Sequence, residues 1–226
     1  MIGETSFNLF GNVLQKETWL HQKSLYGRFG KPGWKWKLYG GFNHQVLWCT
    51  ENGDIFTLSP VKTYLYVITG RKRIGDSLGS IDLGFGYEFR NIRLLAYRQN
   101  LYDAGALYYL ANIRDGLNGL SLVNKRYTSN GFQWRKILVE VLYTKNQAGE
   151  LWTRPVPSGD ESFFNNDQYI TGWSYKGVGI GNPFICTRAY TREGLPFDPV
   201  DYFINNRVIA FHFGYEGSVQ KWDFIL

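Results

Sequence analysis

Two groups of residues have side chains suited to holding a polyhydroxylated ligand. Trp173, Tyr175, Lys176, Asn182 and Arg188 lie close together in the chain; Arg98, Asn100, Tyr102 and Asp103 form a second group. Sugars present apolar ring faces and many hydroxyls. Flat aromatics beside amide and cationic donors match that surface, and Arg or Lys also pairs with uronic acids or phosphates. The same side chains serve equally well to pack long loops together and to fill a lumen. Both readings stay open at this point.

Other chemistries find little support. Gly177-Val178-Gly179-Ile180-Gly181 has the wrong spacing for a dinucleotide fingerprint and no βαβ context, so it reads as a tight backbone bend beside large aromatics such as Trp173, Tyr175 and Phe184. Asp160 and Glu161, with Asp198 and Asp201, offer carboxylates for glycoside hydrolysis, but that reaction needs a raised-pKa acid and a second acid at a set separation. Adjacent acids in a Pro- and Gly-containing stretch are more often solvated. His21, His44 and His212 are isolated, with no metal ligand at i+2 or i+4, and no GxSxG elbow occurs. Cys49 and Cys186 form no CxxC; they read as free thiols, with pairing in an oxidising compartment as the alternative. The expectation is a protein that is not an enzyme and takes no cofactor or metal.

Strands must position these residues. From Ile81 to Arg90 the chain alternates strictly: Ile81, Leu83, Phe85, Tyr87 and Phe89 point one way, and Asp82, Gly84, Gly86, Glu88 and Arg90 the other. A period of two is the mark of a β-strand. Asn91 turns the chain into a second strand, Ile92 to Gln99. Thr5–Leu14, Lys23–Gly30, Gly131–Lys145, Glu150–Arg154, Arg207–Tyr215 and Ser218–Leu226 read as further strands. In Trp34 to Phe42, tryptophans alternate with lysines: Trp34, Trp36, Leu38 and Phe42 share one face, and Lys35, Lys37 and Tyr39 the other. In a membrane barrel such rings sit at the lipid interface and the lysines face a wet lumen. In water the strand would need a second layer over its tryptophans.

The expected connections alternate in length. Short ones fall at Lys31–Gly33, Arg90–Asn91, Asn146–Gly149 and Glu216–Gly217, and long ones at Cys49–Gly79, with a short strand or helical turn at Tyr64–Ile68, Asn100–Asn130 and Pro155–Asp201. Outer-membrane barrels sort their connections in this way, with long loops outside the cell.

Composition agrees with strands and turns. Aromatics make up 18% of the 226 residues and 26 are Gly. The net charge of +6 is spread out apart from Arg71-Lys72-Arg73, a poor footprint for nucleic acid. No run of about 18 apolar residues suggests a membrane helix, and no signal peptide is visible. The last residues stop inside an apparent strand, so the chain reads as a piece of a longer protein.

Four stretches resemble the capsule assembly family typified by the outer-membrane protein Wzi, especially its Bacteroidetes-type members. They are YGRFGKPGWKWKLYGGFNH from Tyr26, RIGDSLGSIDLGFGYEF from Arg73, YRQNLYDAGALYYLANIRDGLNGLSL from Tyr97 and GWSYKGVGIGNPF from Gly172. The resemblance implies a monomeric outer-membrane β-barrel that acts as a surface lectin, binding exported capsular polysaccharide, and not an enzyme. The combined expectation for residues 1–226 is one all-β domain: a partial antiparallel transmembrane β-barrel with long extracellular loops. Its partners are capsular polysaccharide and outer-membrane lipid, and no nucleic acid. The alternatives are an outer-membrane channel, with Lys35, Lys37, Glu88 and Arg93 lining the pore, and a secreted β-rich glycosidase using Glu161.

Overall fold

A computed structural model describes residues 3–11, 18–49, 76–103, 110–126, 131–147, 161–166, 171–194, 201–219 and 222–225. Seven strands come first: β1 (Gly3–Gly11), β2 (Thr18–Phe29), β3 (Trp36–Cys49), β4 (Asp76–Glu88), β5 (Ile92–Tyr102), β6 (Gly116–Asn124) and β7 (Phe132–Tyr143). A small ribbon of β8 (Ser174–Tyr175) and β9 (Val178–Gly179) follows, then β10 (Ile209–Val219) and β11 (Trp222–Ile225). All but the ribbon form one 9-stranded antiparallel sheet in the order β1-β2-β3-β4-β5-β6-β7-β10-β11. The sheet is open, and β1 and β11 are its edges. No α-helix occurs among the described residues.

Alternation decides which way each side chain points, and the register carries one face across the strands. Leu25 lies opposite Phe42, Phe42 opposite Ile81, Leu38 opposite Phe85, and Phe85 opposite Ala96. Leu120 continues the row opposite Ala96, then Val139 and Phe213. Over its middle and towards the short turns this face is apolar and exposed: Leu83 is 60% exposed, Phe211 66%, and Phe85 42%. Towards the other end it carries Lys23, His44, Arg98 and Asn118, and His21, Val46 and Asn100 are buried. Trp34 and Trp36, both 36% exposed, pack on each other at 4.7 Å between ring centroids. With Phe29, Tyr87 and Phe89 they gather aromatic rings at the end where β2 turns into β3 and β4 into β5. Among the described residues no second layer covers the apolar part of this face, whereas Ile113 and Asp115 lie against Asn100 at its other end.

The opposite face is polar at its neighbouring positions. Tyr26, Asn43 and Asp82 lie there, as do Tyr97, Glu140 and His212. Glycines make room for its rings. A Cβ on Gly119 would overlap Tyr97 Cζ, so the tyrosine ring lies flat across β6. On the other face Gly79 does the same for Tyr102.

Several expected boundaries move. Asn100–Asn130 is not one loop: β6 runs through it, because Leu117, Ser121 and Val123 face inward and Leu120 and Leu122 outward despite the intervening Gly and Asn. Glu216–Gly217 is not a turn. It is a register shift where β10 passes β7, and the chain reverses only after Val219. Asn146–Gln147 does not open a hairpin, because the next strand beside β7 in the sheet is β10. Cys49 closes β3 and residues 76–79 belong to β4, so both ends of the expected Cys49–Gly79 connection are strand. The readings at Tyr64–Ile68 and Glu150–Arg154 lie outside the described residues. The sorting of connections holds only in part. Short ones join β2 to β3, β4 to β5, β6 to β7 and β10 to β11, and the longest joins β7 to β10, but the connection from β1 to β2, at the end of the long ones, is also short.

Part of that longest connection folds back over the polar face. Phe163, Phe164, Trp173, Ile185 and Phe203 form a buried cluster with Leu78 of β4, and Leu101 and Val208 pack against it. This plug is the hydrophobic core of the described structure.

Candidate functional site

Between the plug and the polar sheet face lies a cleft of about 520 Å³. Four amides line it from the sheet, Gln22, Asn43, Gln45 and Gln99, with Tyr26 and Ser80 beside them. Glu140 and His212 lie at its β7 and β10 side, and Asn182 and Phe184 face it from the plug. Leu78, Leu101, Leu117 and Leu142 supply its apolar surface. Alternation puts the sheet groups in one place: they are every second residue along β2, β3, β4, β5, β7 and β10, gathered by cross-strand register.

The polar groups hold one another in position. Tyr26 Oη donates to Asn43 Oδ1 at 2.7 Å, and Asn43 Nδ2 donates to Asp82 Oδ2 at 3.0 Å and Ser80 Oγ at 3.2 Å. Gln22 Nε2 donates to Ser24 Oγ at 3.0 Å. Across the cleft Tyr97 Oη donates to Glu140 Oε1, and His212 Nδ1 lies 2.9 Å from Glu140 Oε2. Fixed amides, hydroxyls and a carboxylate beside a tyrosine and a phenylalanine make a pre-formed surface for hydroxyl-bearing ligands.

A buried polar spine anchors the plug to the sheet. Asp115 is fully buried just before β6, and its carboxylate accepts the backbone N–H of Asn146 at 2.8 Å and of Gln147 at 2.5 Å. Burial raises its pKa above the usual carboxylate value, against those two N–H groups and the more distant Arg207 and Arg98, which lower it. Gln147, held at a positive φ of 38°, passes the connection on. Its Nε2 donates to the Thr144 carbonyl at 2.8 Å and the Asn206 carbonyl at 3.0 Å, and its Oε1 accepts Phe163 N–H at 3.2 Å. Glu161 is also fully buried and accepts Asn112 Nδ2 at 2.7 Å. It belongs to this anchor rather than to a solvent-facing acid pair.

The structure separates the residues that sequence reasoning grouped. Trp173 is 1% exposed and lies inside the plug cluster, so its ring faces are already covered. Tyr175 is 45% exposed at a two-residue turn whose central residues, Lys176 and Gly177, have φ of 49° and 82°. Lys176 Nζ sits over the Tyr175 ring at 5.5 Å. Asn182 lines the cleft and its Oδ1 accepts the Phe184 N–H at 2.9 Å. Arg188 is exposed and its Nη2 donates to the Asp201 carbonyl at 2.7 Å.

Arg98, Asn100 and Tyr102 of the second group alternate along β5 on the outward face, away from the cleft, and Asp103 follows the end of the strand. Arg98 shares the outward face with Leu83; it donates to Asn118 Oδ1 at 2.7 Å and to the Ile113 carbonyl. Asn100 is buried and donates to the carbonyls of Ile113 at 3.1 Å and Asp115 at 3.3 Å. Tyr102 stacks with Phe42 and His44, and its Oη lies 2.9 Å from His44 Nδ1. Asp103 is buried, and its backbone carbonyl accepts Ser77 Oγ at 3.1 Å. Of the nine residues, Asn182 alone lines the cleft.

The other cleft residues went unselected because each is an unremarkable polar residue in its own strand. Their alternation with outward apolar residues was the available signal. Glu88, considered for a pore, is engaged by Arg93 at 2.5 Å and Lys125 at 2.9 Å at the short-turn end. Among the described residues no group of His, Cys, Asp and Glu is placed to hold a metal ion, and Cys186 is a free thiol. No protein-family model, curated protein or solved structure matches the chain.

Proposed function

We propose that this chain is part of an outer-membrane β-barrel, similar to the Wzi capsule assembly proteins, that holds exported polysaccharide at the cell surface. The observation that carries the reading is a sheet with two opposite characters. One face is apolar, exposed and edged with aromatic rings over its middle and short-turn end, and the other is polar and bears a cleft of fixed amides and hydroxyls. A soluble sheet buries its apolar face beneath another layer; a barrel turns it to lipid. Strand length supports the same setting. β2, β3 and β4 have 12, 14 and 13 residues, more than the roughly 9–11 that cross a bilayer.

In this reading the aromatic end lies at the periplasmic interface, and the plug and cleft lie on the outer side of the membrane. The protein works as a monomeric lectin and needs no cofactor. A plug seated on the lumen face supports an anchor over an open channel, and a planar bilayer separates the two: the anchor is silent and the channel conducts.

The test is retention of capsular polysaccharide by the protein in outer-membrane vesicles. Retention lost in a Tyr26→Ala, Gln99→Ala double variant that still inserts supports the cleft. Unchanged retention moves the site elsewhere. No retention by the parent protein refutes the function.

A further inference from the structure

The charge of the cleft selects among sugars. Among the described residues, no lysine or arginine lines it, although the chain is basic overall with a net charge of +6. Its one acidic lining group is Glu140, and Asp82 stands immediately behind Asn43 and Ser80. Glu140 is tied to Tyr97 and His212, and Asp82 is tied through Oδ2 to Asn43. Asp82 Oδ1 is buried with no hydrogen-bond partner among the described residues. The wall therefore holds carboxylate and amide acceptors with a second carboxylate close behind, and among the described residues no lysine or arginine faces them.

On this basis we infer that the cleft takes saccharides without acid groups, neutral or amine-bearing hexoses, and rejects uronic acids. The inference rests on the polysaccharide-binding reading above and narrows it. A hydroxyl, acetamido N–H or ammonium donates into this surface, whereas a uronate carboxylate brings a second negative charge beside Glu140. Like charges brought together in a partly desolvated site repel strongly. The basic residues that first suggested uronate pairing are placed elsewhere. Arg98 is spent on Asn118 and the Ile113 carbonyl, Arg188 reaches the Asp201 carbonyl, and Lys176 covers Tyr175.

The experiment is calorimetric titration of the detergent-solubilised protein with oligomers of glucosamine, N-acetylglucosamine and galacturonic acid of equal length. The expected result is that the two non-acidic oligomers bind at least about tenfold more tightly than the galacturonate. Gln99→Lys, which places a cation at the cleft wall, narrows that gap, and Glu140→Gln weakens glucosamine relative to N-acetylglucosamine. Galacturonate binding as tight as the others in the parent protein overturns the charge selection and leaves the polysaccharide reading standing. Binding of none of the three, together with no retention of capsular polysaccharide, overturns both.

Discussion

Asp115 anchors the plug without itself lining the cleft. Asp115→Ala removes the acceptor for two buried N–H groups, those of Asn146 and Gln147. Each unsatisfied buried donor costs about 1–3 kcal/mol, so the plug anchor loses roughly 2–4 kcal/mol after relaxation. Asp115→Asn is nearly isosteric but does not rescue. One of its two positions becomes an N–H donor and faces another donor. The loss falls on the plug because Gln147, displaced from its positive φ, no longer holds the Phe163 N–H and the Asn206 carbonyl.

Hydrogen exchange read by mass spectrometry on peptides covering residues 161–166 and 201–208 measures the effect. Local opening increases about 30- to 1,000-fold for the Ala variant, at one decade per 1.4 kcal/mol. Strands β3 and β4 keep their parent protection. The pH dependence follows from the raised pKa of Asp115. A carboxyl raised in the folded state contributes stability that is complete below its unfolded pKa and is lost as pH climbs through the folded value. Lowering pH from 7 toward the unfolded carboxylate range therefore tightens the plug in the parent and leaves Asp115→Asn unchanged. Plug exchange that stays within about threefold of the parent in Asp115→Ala would refute the reasoning, since two unsatisfied buried donors cannot cost so little.

Three further outcomes follow from the same geometry. Leu83→Arg, on the bare face at 60% exposure, destabilises the protein folded in lipid vesicles by about 2–4 kcal/mol in urea titration, whereas a water-facing position would tolerate it. Gly119→Ala overlaps the Tyr97 ring, costs about 1–3 kcal/mol by the same titration, and lowers sugar affinity by releasing Tyr97 from Glu140. Phe203→Ala empties a fully buried position in the plug cluster, costs about 3–5 kcal/mol of plug stability, and exposes Trp173, read as a red shift of its emission with the other tryptophans replaced.

The sheet was legible in the sequence wherever alternation was clean. Ile81–Arg90 and Ile92–Gln99 declared both strands and their faces, and β4 and β5 follow them closely. Legibility failed where glycine replaced a side chain for the benefit of another strand. Gly116 and Gly119 look like loop residues locally, yet they let the chain and the Tyr97 ring pack across β6. Glu216–Gly217 has turn chemistry but serves a bulge, because the partner strand β7 has an extra residue to accommodate there.

Fewer parts of the site were legible. A Trp among Gly and Asn reads as an exposed platform, but Trp173 is buried because Phe163, Phe164 and Phe203 arrive from elsewhere in the same long connection. Gln22, Asn43, Gln99 and Glu140 meet only through cross-strand register, which local sequence does not encode.

The central claim is that the apolar face of this sheet meets lipid while the opposite face meets water. Nitroxide probes on single cysteines, in a background lacking Cys49 and Cys186, read this in vesicles by collision with oxygen and with a water-soluble nickel chelate. Leu83→Cys and Phe211→Cys should favour oxygen, and Ser80→Cys and Gln99→Cys should favour nickel. Nickel access at Leu83 and Phe211 equal to that at Gln99 would contradict the account.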